Sequence, residues 1–125
     1  MSEGLILLTN NGDYSRYLEH PSSNVERIYR VCINSKVQNI DLQKINKGIT
    51  IKEISYRKIK VVFEKKLKNQ SWLIFKLKEG KNREMRNICN YFSWNIVKLI
   101  RIGYGPYKLG KLKEGQFQKL NTIIK

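Results

Sequence analysis

The basic residues around position 83 form the part of the sequence best suited to bind an anion. Lys81, Arg83 and Arg86 follow a glycine at the start of a predicted helix. The helix dipole disfavours each exposed cation at a helix N-terminus by about 0.3–1 kcal/mol. The arrangement therefore favours a docked anion, which backbone N–H and guanidinium groups would hold together. The alternative is a solvated basic helix end in a lysine-rich protein, and the spacing alone leaves both interpretations open.

The composition favours a polyanionic partner. The 125 residues include 25 Lys and Arg but only 10 Asp and Glu, which gives a formal net charge of +15, and such an excess is typical of proteins that bind nucleic acid. The chain has no alanine and much Lys, Ile and Asn, a bias that an AT-rich coding sequence also produces. Single lysines therefore count for less than arginines, whose planar guanidinium binds phosphate bidentately.

Several kinds of site and location are disfavoured by the sequence. Cys32 and Cys89 are far apart, and no CxxC or Cys/His spacing predicts a metal site. No apolar run approaches the roughly 18 residues that cross a bilayer, and the N-terminus lacks the basic flank and cleavage site of a signal peptide. We therefore expect a reduced, cytoplasmic protein with no metal and no membrane association.

The elements that position the basic residues alternate between strands and helices without a regular βαβ rhythm. This order predicts an α+β fold, with a mainly antiparallel mixed sheet and flanking helices, in one unit over 1–125. Asp13 is expected to cap the first helix. The hydrophobic patterns predict strands over 4–9, 26–33, 58–66, 71–80 and 95–104, and helices from Asn11-Gly12-Asp13 to His20, over 39–47 and over 83–93.

Aromatic residues on two of these strands have both a structural and a functional interpretation. Tyr29 on strand 26–33 is, from its pattern alone, a core or half-buried aromatic. Trp72 and Phe75 are both able to stack on RNA bases, although one of them is expected to fill the core. The pattern alone does not assign Tyr29 a function.

Four blocks of sequence resemble one enzyme family. The stretch EGKNREMRNI, followed by IVKLIRIGYGPYKLGKLKEG, resembles the C-terminal half of bacterial RNA pseudouridine synthases, and most closely the group that modifies ribosomal RNA. SEGLILLTNNGD, HPSSNVERIYRV and KGI at 47–49 agree with the same family in the same order. The resemblance extends over almost the whole chain, and ordered blocks are a more specific signal than any single motif.

The resemblance implies an activity and roles for particular residues. Members of the family isomerise uridine to pseudouridine in structured RNA without a metal or an organic cofactor. An Asp attacks the sugar or the base, the glycosidic bond breaks, and the uracil turns and rejoins through carbon. Carried over by position, Tyr29 would pack against the target base and Arg86 would pair with the Asp. Lys81, Arg83 and Arg101 are the candidates for contact with RNA phosphates.

The sequence departs from the family pattern at the nucleophile. In a pattern like GRLDxxSEGL the Asp would lie two residues before Met1, because Ser2-Glu3-Gly4 matches the end of the motif. Neither Asp13 nor Asp41 matches that position. We therefore expect 1–125 to be a partial catalytic domain, truncated before the motif and without an N-terminal RNA-binding domain. We expect residues 1–125 by themselves to be inactive.

Two structural expectations and two alternatives follow from this interpretation. Arg86 would face a cleft without an acidic partner from this chain, and an unpaired sheet edge would be available for self-association. The first alternative is a non-catalytic, basic RNA-binding remnant that binds ribosomal RNA through charge. A small ribosome-associated structural protein is the second, and it rests on composition alone.

Overall fold

A six-stranded mixed sheet is the main element of the computed structural model, which describes residues 3–7, 11–20, 25–56, 59–78 and 84–110. The strand order is β1-β7-β2-β6-β5, with β8 paired to the end of β7. All neighbours in this sheet are antiparallel except β1 and β7, so the predicted α+β class is confirmed. The elements are β1 Glu3–Gly4, α1 Gly12–Glu19, β2 Arg27–Ile33, α2 Asn39–Lys47, β3 Ile49–Ile51, β4 Ile54–Tyr56, β5 Lys60–Lys66, β6 Ser71–Leu77, α3 Glu84–Tyr91, β7 Ile96–Tyr104 and β8 Tyr107–Lys108.

The main hydrophobic core lies on one face of this sheet. Alternate residues of a strand point to opposite faces, and on β2 and β6 one set of alternate positions is buried. Phe75 at the centre of β6 is 0% exposed, which confirms that it is the core member of the pair with Trp72. Helices α2 and α3 contribute buried residues to the same cluster, namely Leu42, Ile45, Met85, Ile88 and Cys89. We call this the helix face of the sheet and the opposite one the outer face.

The first strand is shorter than the predicted strand over 4–9. Glu3 and Gly4 pair in parallel with Ile100 and Arg101 of β7. The positions on β7 that a longer β1 would pair with next are occupied by β8, which pairs with Gly103 and Tyr104. Residues 5–7 therefore leave the sheet, while 8–10 lie outside the described residues.

Two further details of the fold differ from expectation. Helix α1 is capped by Asn11, whose side-chain oxygen accepts a hydrogen bond from the Tyr14 amide at 3.1 Å. Asp13, the predicted cap, lies inside the helix, where its carboxylate pairs with Arg16. The hairpin of β3 and β4 was not predicted, because its two-residue turn places Lys52 and Glu53 at positive φ of 49° and 67°, where Asn-Gly is the usual signal.

Candidate active site

Tyr29 lies in the middle of β2 on the helix face of the sheet. Its neighbours in register are Phe75 on β6 and Arg101 on β7, and side chains paired in this way lie on the same face. Tyr29 is 8% exposed and belongs to the main hydrophobic cluster. The strand therefore holds the ring in a fixed position beside a cationic side chain, as a rigid wall for a base would require.

Arg101 connects Tyr29 to the N-terminal strand. Its Nε donates a hydrogen bond to the Leu5 carbonyl oxygen at 2.8 Å, and its guanidinium carbon lies 5.0 Å from the centre of the Tyr104 ring. The side chain is half-buried. Arg101 thus lies between Tyr29 and the segment that matches SEGL in the sequence.

A second arginine, Arg27 on β2, also contacts Tyr104. Its guanidinium carbon lies 4.8 Å from the centre of the Tyr104 ring, and its Nη2 donates to the Tyr104 hydroxyl at 3.2 Å and to the Leu18 carbonyl oxygen at 3.3 Å. Arg27 is only 7% exposed. No sequence motif marks this residue, although a cation on the buried side of an alternating strand is a signal that could have found it.

The two arginines make this end of the sheet electropositive. Among the described residues, ion pairs join Arg16 to Asp13 and Arg30 to Glu64, and neither pair includes Arg27 or Arg101. Two guanidinium groups lie around one ring, and the acceptors that the described residues give them are neutral oxygens, so they produce a local positive field. Such a site can attract a phosphate or a carboxylate.

Arg86 lies on α3, the helix that covers the face from which Tyr29 projects. Its helix neighbours Met85 and Cys89 pack in the same cluster as Tyr29, while Arg86 itself is half-buried. Burial raises the pKa of the Cys89 thiol to about 12, and the nearby charge of Arg86 acts in the opposite direction. Neither of the two ion pairs in the described part of the chain includes Arg86.

Glu84 is a residue whose environment the sequence did not predict. It lies in the first turn of α3 and is only 2% exposed. A carboxylate there interacts favourably with the helix dipole. Its burial beside Met85 shows that the start of α3 is part of the packed interior.

The remaining predictions for the site concern residues that the structure does not describe. Lys81 and Arg83 lie outside the described residues, so their predicted contact with phosphate stays a prediction. Within the described ranges, no group of three or more His, Cys, Asp or Glu side chains is placed to hold a metal ion. None of the helices in those ranges combines the length and apolar character needed to cross a membrane.

A surface pocket of about 470 Å³ lies away from these residues. It is found where the β5–β6 turn meets the start of α2, and its lining includes Lys36, Lys66 and Lys68. None of the predicted site residues contributes to it.

Comparison with known families gives a match over most of the chain. The model of the family described as RNA pseudouridylate synthase matches residues 1–91. This range includes the segment of β1, all of β2 with Tyr29, and α3 with Arg86. Arg101 lies beyond it.

Individual relatives and a solved structure agree with this match. An uncharacterized RNA pseudouridine synthase of Rickettsia prowazekii is 42% identical over 123 residues, which are 98% of this chain and 52% of the relative. The ribosomal large subunit pseudouridine synthase B of a Buchnera aphidicola strain is 36% identical over 126 residues, with 98% and 49% covered. A crystal structure of a pseudouridylate synthase superposes with a TM-score of 0.83 at 22% identity, over 96% of this chain and 52% of that one, and so shows the shared fold. The chain spans about half the length of these proteins.

Proposed function

The chain belongs to the RNA pseudouridylate synthase family, as its sequence resemblance predicts, and from this premise we propose that it supplies the base-binding half of an active site that isomerises uridine in ribosomal RNA. The observation that carries the proposal is the register of Tyr29 opposite Arg101, next to the strand that matches SEGL. This arrangement puts an aromatic wall, a cation and the segment after the family's Asp motif on three neighbouring strands. The ribosomal substrate is supported by the name of the Buchnera relative.

The proposed reaction exchanges one glycosidic bond for another. The bond between uracil N1 and the ribose breaks, the uracil turns, and a bond from C5 to the ribose forms. C5 loses its hydrogen as a proton and N1 gains one, so the reaction is redox-neutral and atoms balance. The uridine must first leave the base stack, which costs a few kcal/mol, and contacts between cations and the RNA backbone would offset that cost.

Each residue of the site has a distinct role in this proposal. Tyr29 packs against the extruded base, and Arg86 from α3 pairs with the nucleophilic Asp of the family pattern. Arg101, together with Lys81 and Arg83, contacts RNA phosphates. The matching pattern assigns no Asp of 1–125 to the nucleophile, so we propose that these residues alone bind RNA without turning it over.

Release of tritium from RNA labelled at uracil C5 tests the reaction directly. We expect no release by 1–125, and release by a chain in which a segment of the form GRLDxx precedes Ser2. In that extended chain, Tyr29→Phe and Arg86→Ala should lower kcat much more than they weaken RNA binding. Arg16→Ala is the matched control, because Arg16 is an exposed cation on α1 that pairs with Asp13. Unchanged turnover in both site variants would show that the site is assigned wrongly.

The second candidate function is a non-catalytic protein that binds ribosomal RNA through charge. It is supported by the net charge of +15. Binding through charge alone should weaken steeply with salt and discriminate little among RNAs. If the extended chain binds RNA in this way and releases no tritium, the second candidate replaces the first. Both candidate functions are compatible with self-association through the sheet edge at β1, and sedimentation of the chain without RNA tests it.

A further inference from the structure

The outer face of the sheet carries basic and apolar side chains in regular rows. Because side chains in register share a face, the pairing of β7, β2, β6 and β5 places the same residues side by side across four strands. These rows are Lys98–Cys32–Trp72–Lys65, Ile100–Arg30–Ile74–Val62 and, beside Gly103, Ile28–Lys76–Lys60. Helices α2 and α3 pack on the opposite side of the sheet, where their buried residues belong to the main hydrophobic cluster.

The charges on this face are mainly positive. Five members of the rows are basic, namely Lys60, Lys65, Lys76, Lys98 and Arg30, whereas the acidic Glu64 at the β5 bulge reaches the same face and pairs with Arg30. Lys60 and Lys76 stand directly opposite each other, a like-charge arrangement that destabilises a sheet. The four lysines are all exposed. A polyanion on this face would relieve the repulsion that the fold otherwise tolerates.

Arg30 is fixed in the middle of the face. Its side chain crosses β6, where its guanidinium carbon lies 4.7 Å from the centre of the Trp72 ring, and reaches Glu64 at the bulge of β5. Glu64 accepts from Nε at 3.0 Å and from Nη2 at 2.7 Å. This side-on contact leaves the Nη1 donors of Arg30 turned away from the carboxylate. A half-buried guanidinium held by these contacts can donate to a phosphate without losing much rotational freedom.

The positive charges of two lysines act on Cys32, which lies within the first row. The pKa of the Cys32 thiol is raised by burial, whereas Lys65 on one side and Lys98 on the other act to lower it. These two lysines are three strand spacings apart, about 14 Å. That width accommodates one strand of nucleic acid, with Trp72 and Ile74 beneath it as an apolar floor for ribose and base.

We infer that the outer face is a second RNA-binding surface, which holds the backbone of single-stranded RNA on the side of the sheet opposite Tyr29. The inference rests on the proposed function in taking RNA as the polyanion. A second copy of this chain is disfavoured as the occupant, because it would bring the same positive charge to the contact. An RNA segment flanking the modified uridine can instead pass around the edge of the sheet and be held on both faces.

Two double variants, one that neutralises lysines of the outer face and one that neutralises lysines of a helix, distinguish binding at this surface from binding through the overall charge. We compare Lys65→Gln/Lys76→Gln with Lys44→Gln/Lys47→Gln, a control of equal charge on exposed positions of α2. The probe is poly(U), titrated at several salt concentrations. The slope of log Kobs against log salt is negative, and the outer-face variant should make it less steep by about 1.4, since each single-strand phosphate contact contributes about 0.7. The control should leave the slope unchanged. An equal loss in both variants would overturn the inference.

Tryptophan fluorescence gives an independent measurement that does not depend on charge. Trp72 lies half-buried on the outer face, whereas Trp94 is 4% exposed in the core. Poly(U) should change the emission of the wild-type chain and leave that of Trp72→Phe, in which only Trp94 remains, unchanged. An equal response of the two proteins would contradict RNA on this face. Failure of the tritium assay would leave both binding tests intact, so the two proposals fail separately.

Discussion

Leu5 and Arg101 are joined by two hydrogen bonds that run in opposite directions. The Leu5 amide donates to the Arg101 carbonyl oxygen at 2.8 Å, and the Arg101 Nε donates to the Leu5 carbonyl oxygen, also at 2.8 Å. Since Arg101 is also the register partner of Tyr29, one residue holds the N-terminal strand in place relative to the proposed base wall. The position of the chain just after the family's Asp motif is therefore set by β7.

Substitution of Gly4 by alanine should release this strand. Gly4 has a φ of +103°, and a Cβ there would lie 2.3 Å from the Arg101 carbonyl oxygen. Strain of this kind costs about 1–3 kcal/mol, so we expect hydrogen exchange of the Leu5 amide to accelerate by about 5-fold or more. Gly12→Ala is the control, because nothing lies within 4 Å of its added Cβ. Unchanged exchange in Gly4→Ala would show that β1 does not depend on this close approach.

The sequence predicted most of the elements because their patterns are local. Strand β2, with its alternating buried positions, and helix α2, which ends before Gly48, agree with the predicted ranges. The shortening of β1 could not be foreseen, because it depends on β8 taking the same edge of β7. Pairing of that kind is a tertiary property that no window of sequence contains.

The sequence indicated individual site residues but not which of them are neighbours in the fold. The family resemblance selected Tyr29 and Arg101 separately, and only the register of β2 and β7 shows that they are neighbours. Arg27 was overlooked because no motif assigns it a role, although its alternation with Tyr29 places it on the buried side of β2. The rows on the outer face join β2 to strands far away in the sequence, such as Cys32 to Trp72 and to Lys98, so sequence spacing carries no trace of these pairings.

Phe75 and Val62 should differ sharply in their contribution to stability. Phe75 is 0% exposed at the centre of the helix face, whereas Val62 on the outer face of β5 is 55% exposed. Phe75→Ala should lower the free energy of unfolding by about 3–5 kcal/mol, and Val62→Ala by no more than about 0.5 kcal/mol. Urea denaturation followed by circular dichroism measures both. A loss above about 2 kcal/mol for Val62→Ala would indicate that the outer face is packed against another part of the protein.

Neither cysteine should react with a thiol reagent while the chain is folded. Burial raises the pKa of the Cys89 thiol to about 12 and also raises that of Cys32, and only the thiolate reacts. With Ellman's reagent at about pH 8, near the ordinary thiol pKa, we expect little reaction in buffer and complete reaction of both thiols in denaturant. Rapid reaction of Cys32→Ser in buffer would show that Cys89 is accessible, and the converse variant tests Cys32.

The hydroxyl pair of Tyr14 and Tyr107 predicts a loss of stability in alkali. The two hydroxyl oxygens are 2.6 Å apart. This hydrogen bond is the largest cause, and burial the next largest, that raises the pKa of Tyr14 from 10.0 to about 12. Folding therefore favours the neutral phenol. The stabilising contribution is fully present below pH 10 and is lost as the pH rises towards 12.

Phenolate absorbance and the free energy of unfolding, each measured against pH, check this prediction. Tyr107→Phe removes the largest cause of the shift, so Tyr14 should titrate closer to its ordinary pKa and the alkaline loss of stability should shrink. Tyr17→Phe is the control, since the Tyr17 ring stacks on Tyr14 at 6.3 Å and is only the smallest of the causes that raise the pKa of Tyr14. If Tyr107→Phe and Tyr17→Phe moved the titration of Tyr14 equally, the hydroxyl pair would not be its cause.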